Sequence, residues 1–193
     1  MSRRVAIPAA VIALLAAPLS AQHAFVINMH GGGYEHLVDL NGTGAPVANF
    51  DPGYNLGFGV GLEVTREVGI YTDLTFADAR ARGTSSFAGA DVEEAFYGAH
   101  LELRFPQSTG WTPYVMLGAG AVTVSQASGV VSPSFTRPAG AFGVGLGYDL
   151  RSIPIEVFAE GETLVYKWDG FGFDRMQVDV TLSVGFSYRM SWM

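Results

Sequence analysis

Cysteine is absent from all 193 residues, which excludes a disulfide framework, a thiol nucleophile and a thiolate metal site. Lysine is almost absent too: beyond residue 21 only Lys167 remains. Soluble acidic domains normally cover their surface with lysine and other charges, so this composition does not supply an ordinary water-facing exterior. The balance of 11 basic to 18 acidic residues excludes nucleic acid as a partner. Past residue 21 there is also no apolar run of the roughly 20 residues that a spanning helix needs. A chain that is 49% hydrophobic and carries 25 glycines can therefore cross a membrane only as strands.

The first residues, MSRRVAIPAAVIALLAAPLSAQ, place Arg3 and Arg4 before the apolar stretch Val5 to Leu19 and a small-residue site at Leu19-Ser20-Ala21. That is the layout of a secretory signal peptide. Residues 1–21 are expected to be cleaved, leaving residues 22–193 as one domain. Removal of Arg3 and Arg4 makes the remaining chain more acidic still.

That remainder divides into eight segments with period-2 alternation. The clearest runs from Val178 to Trp192, where Val178, Val180, Leu182, Val184, Phe186, Tyr188, Met190 and Trp192 share one parity. In the second segment Tyr54, Leu56, Phe58, Val60, Leu62 and Val64 alternate with Asn55, Gly57, Gly59, Gly61, Glu63 and Thr65. A helix, with period 3.6, would scatter these residues around its circumference. The remaining segments are Phe25 to Leu37, Val68 to Ala79, Glu93 to Phe105, Trp111 to Val124, Pro138 to Asp149 and Ile155 to Tyr166. Short connections at Thr65–Glu67, Pro106–Gly110 and Leu150–Pro154 alternate with longer ones. Short turns on one side and longer loops on the other describe an outer-membrane barrel, with the short side periplasmic. Prolines are expected in the connections or at strand starts.

Two kinds of eight-stranded barrel could carry this pattern. A lipocalin-like soluble carrier would turn its apolar face inward, but the polar face here is mostly glycine. Gly57, Gly59, Gly61, Gly118, Gly120, Gly143, Gly145 and Gly147 suit a narrow lumen, where they leave room for larger neighbours. Those neighbours form an expected lumen network of Glu63, Asp73, His100, Glu102, Arg104, Asp149, Glu156, Glu160, Glu162, Arg175, Asp179 and Arg189, joined by Tyr71. Buried carboxylates need cationic partners; Arg189 is expected beside Glu156, and Arg175 beside Glu162. The outward aromatics fall into two bands, as membrane girdles do. Phe105, Trp111, Tyr148, Phe186, Tyr188 and Trp192 form one, and Tyr54, Phe76, Tyr97 and Phe142 the other.

These segments and the terminal strand resemble the small eight-stranded outer-membrane barrels, the class of the outer-membrane protein A transmembrane domain and the outer-membrane protein X family. Val178 to Trp192 resembles the signal read by the barrel-assembly machinery, although Met193 follows the usual terminal aromatic. The resemblance implies an all-β, antiparallel up-and-down transmembrane barrel in the bacterial outer membrane. It also implies contact with lipid and lipopolysaccharide, no cofactor, and a monomer. A structural or surface-interaction role through the outer loops is expected, with the loop ligand unspecified. A narrow pore, a lipid-modifying enzyme and a soluble carrier are the alternatives.

Motifs that suggest chemistry fail on context. His30-Gly31-Gly32-Gly33 matches an esterase oxyanion motif, but no G-x-S-x-G elbow accompanies it. His30 and His36 share inward parity, yet six residues at about 3.3 Å each separate them too far to share a metal ion. His36 with Asp39 is the remaining cation candidate, and it is weak enough that no metal site is expected. The Gly57-x-Gly59-x-Gly61 and Gly143-x-Gly145-x-Gly147 runs lie within strands, whereas nucleotide-binding glycine loops open a helix. The outer-loop residues Phe87 and Trp168 offer no ligand signature. No catalytic residue is assigned.

Overall fold

Alternation carries through into pairing. The computed structural model describes residues 23–38, 40–41, 47–83, 89–127, 133–170 and 173–192; residues 1–21, Asp39, Phe87 and the Trp192 side chain lie outside the described set. Ten strands follow in order: β1 (His23–His36), β2 (Leu40–Asn41), β3 (Val47–Phe50), β4 (Gly53–Glu63), β5 (Val68–Gly83), β6 (Asp91–Arg104), β7 (Trp111–Ala127), β8 (Ser134–Leu150), β9 (Ile155–Trp168) and β10 (Arg175–Trp192). Eight of them form an antiparallel ring in which each barrel strand pairs with the next. β5 pairs with β6, and β10 closes on β1 from His23↔Trp192 to His36↔Asp179. Closure leaves no open edge for lipid to meet. The remaining two, β2 and β3, form a small hairpin that extends the outer end of β5 through Phe50↔Ala81.

Expected and observed strands agree at the short-turn end, where Gly110 adopts φ 95° and its N–H bonds to the Gln107 carbonyl at 3.1 Å. At the other end the strands run further. β5 continues from Ala79 to Gly83, and β8 begins at Ser134, so Pro138 sits inside the strand opposite Ala121.

The cause is a reversal of polarity along the barrel. In the middle, Leu56, Phe58, Leu117, Val144, Leu182 and Val184 face outward and are exposed, an apolar wall suited to lipid. Toward the long-loop end the outward positions become Arg80, Arg82, Asp91, Glu93, Ser134, Thr136 and Lys167. There the inward ones become Ala79, Ala81, Val92, Phe96, Val122, Val124, Leu164 and Trp168, all buried. One apolar core gathers these residues, Ala79 apart, with Leu40, Tyr166 and Phe173, and Phe50 and Phe135 pack against it; Ala79 packs with Tyr34 and Ala77 beside it. The outer end is thus built like a water-soluble barrel on top of a membrane one.

Candidate functional site

The inward face falls into three layers. Nearest the short turns, two guanidinium groups hold four carboxylates. Arg189 donates from Nη2 to Glu156 at 2.7 Å and from Nε to Glu63 at 2.8 Å, and also binds Asp149. Arg104 donates to Glu156 at 2.6 Å and to Glu102 at 3.0 Å. The expected Arg189–Glu156 pair is present. The expected Arg175–Glu162 pair is not formed: Glu162 lies opposite Thr181, whereas Arg175 is exposed opposite Trp168, six residues further along β10. Arg175 does not belong to the lumen network. The sequence pattern put both residues on one face but did not give the register.

The middle layer surrounds a cavity of about 20 Å³ lined by His30, Asp73, His100, Glu160 and Glu162, among others, room for about one water. The lumen glycines make space as expected. A Cβ on Gly57 would meet the His30 ring at 2.0 Å, one on Gly61 the Tyr71 ring at 2.2 Å, and one on Gly145 the Tyr114 ring at 2.1 Å. His30 Nε2 donates to Thr75 Oγ1 at 3.2 Å, Thr75 donates to Asp73 at 2.5 Å, and Glu160 lies 3.6 Å from His30 Nδ1. The Thr75 proton is thus given to Asp73 and not to the His30 ring, and the adjoining cavity is too small for an acyl or sugar substrate.

In the outer layer Asp179 and the inward face of His36 were expected, whereas Glu94, Gln177 and Tyr166 were not. His36 Nδ1 lies 2.7 Å from Asp179, and Gln177 donates to Asp179 at 2.9 Å. The Tyr166 hydroxyl donates to Glu94 at 2.8 Å, and His36 Nε2 is 3.7 Å from Glu94. Glu94 shares parity with His100, Glu102 and Arg104 on β6, a signal that could have placed it inside. The His36 ring packs at 4.0 Å on Phe50 and 6.0 Å from Trp168.

On the outside, Tyr54, Phe76, Tyr97 and Phe142 are exposed in the upper band, as are Phe105, Trp111, Phe186 and Tyr188 in the lower. Tyr148 is half-buried against Trp111, 4.7 Å between rings. Beyond the upper band, Lys167 donates to Asp174 at 2.9 Å, and that hydrogen bond raises the pKa of the ammonium.

The sequence matches the family described as outer membrane protein beta-barrel domain over residues 7–189. No curated protein matches it significantly. Among solved structures, it is similar to Neisserial surface protein A (12% identity, TM-score 0.63, covering 86% of this chain and 97% of that one). It is also similar to OprG from Pseudomonas aeruginosa (16%, 0.56, 88% and 96%). The attachment invasion locus protein of Yersinia pestis, in complex with the heparin analogue sucrose octasulfate, aligns at 17% identity, TM-score 0.51, over 88% and 99%.

Proposed function

The chain belongs to the outer membrane protein beta-barrel domain family, an integral protein of the bacterial outer membrane, and from that membership we propose a non-conducting barrel that displays its outer end as an interaction platform. The observation carrying this reading is the reversal of polarity above the upper aromatic band. An outward face of arginine, lysine and acids over an inward apolar core is stable in water and costly in lipid. A segment so built stands clear of the bilayer on the long-loop side, while the Arg104–Arg189 network and the small central cavity support a closed lumen below it.

Lys167 offers a test, because it is the lysine of the long-loop end and its side chain is 52% exposed. A membrane-impermeant amine reagent added to intact cells should label the protein at Lys167, and a Lys167→Arg variant should lose that label. Labelling of Lys167 only after the outer membrane is permeabilised would overturn the reading.

A further inference from the structure

We propose that His36, Glu94 and Asp179 form a binding site for one divalent transition-metal ion inside the outer core, with zinc the ion that fits the donors. Three strands distant in sequence supply them: His36 ends β1, Glu94 lies on β6 and Asp179 on β10. One ligand atom from each lies within 4.8 Å of the other two. Zinc holds nitrogen and oxygen ligands at about 2.0–2.2 Å, which spaces tetrahedral ligands about 3.3 Å apart. Through Nε2, His36 stands 3.7 Å from Glu94 Oε1, close to that range, while Asp179 lies 2.7 Å from the other ring nitrogen, Nδ1, so its carboxylate turns from Nδ1 toward the ion to complete the set.

A second observation points to a missing cation. Glu94 Oε2, Asp179 Oδ2 and Gln177 Oε1 are buried without a hydrogen-bond partner, on residues that are 4%, 0% and 0% exposed. Buried acceptors left unpaired are costly, and two of these sit on the carboxylates of the proposed site, where a cation would satisfy them. The charge balance agrees. The short-turn layer sets two arginines among its acids, whereas the described ion pairs of Glu94 and Asp179 are both with His36. His36 Nδ1 also faces a carboxylate acceptor at 2.7 Å and the Gln177 amide donor at 3.0 Å, and one ring nitrogen can serve only one of them.

An imidazole with two carboxylates suits zinc better than calcium or magnesium, which prefer oxygen alone. Phe50, Trp168 and Tyr34 pack around the His36 ring, whose side chain is 1% exposed. Because the donors meet only when β1, β6 and β10 close the barrel, binding is coupled to folding.

The experiment refolds the full chain into detergent with zinc chloride, desalts it and counts zinc per folded barrel, with folding judged by heat-shifted gel mobility. The expected result is one zinc per folded wild-type barrel, none on the same chain kept in urea, and at least a tenfold loss of affinity in Glu94→Gln and Asp179→Asn. Zinc should also raise the wild-type unfolding midpoint, a readout that needs no variant. No zinc on the folded wild type, or equal zinc on wild type and Glu94→Gln, would overturn the proposal.

Discussion

At the residue scale, Arg189 holds three carboxylates, Glu63, Asp149 and Glu156, together. Replacing it with leucine leaves buried carboxylates short of a cation, a loss of about 3–5 kcal/mol for a broken buried pair. Urea unfolding in detergent should show the midpoint falling for Arg189→Leu; an unchanged midpoint would refute the stabilising role. The glycines give a matched pair of variants. Gly61→Ala would drive its Cβ to 2.2 Å from Tyr71 and 2.8 Å from the Ile70 carbonyl, an overpacking cost of about 1–3 kcal/mol. Gly33→Ala meets nothing within 4 Å and should unfold like wild type in the same assay. The inward identity of Gly61 was legible from parity alone. So was its role of leaving room; which neighbour fills that room was not, because that depends on where Tyr71 lies across the strand pair.

At the element scale, β10 shows which face meets lipid. Leu182 lies near the middle of its outward row and is 67% exposed. Leu182→Arg should cost about 2–4 kcal/mol, as expected for arginine at the bilayer midplane. Folding titrations into lipid vesicles would measure it, and a lumen-facing leucine would instead respond as a core residue. All eight barrel strands could be found in the sequence because their middle stretches alternate apolar and small residues. The outer extensions of β5 and β8 were read as loop because the alternation there changes phase: Ala79 and Ala81 turn inward while Arg80 and Arg82 turn outward. Pro138 lies within β8 opposite Ala121, where its ring reads as a strand start in the sequence. Register was the other loss. Parity gave the face of Arg175 and Glu162, but only pairing shows that Arg175 lies too far along β10.

At the scale of the whole molecule, three stacked environments share one ring of strands: an arginine–carboxylate layer, a middle layer around a small cavity, and an outer apolar core holding the His36–Glu94–Asp179 cluster. The outer cluster could not be seen in the sequence because its members are 58 and 85 positions apart in the chain, and only barrel closure joins them. Eight strands leave an interior that side chains can fill, and here a cavity of about 20 Å³ lies at its centre. The most direct measurement is the conductance of the purified protein in a planar bilayer bathed in concentrated potassium chloride. A closed lumen predicts a current no greater than that of the protein-free membrane; reproducible single-channel steps from the folded, heat-modifiable protein would contradict it.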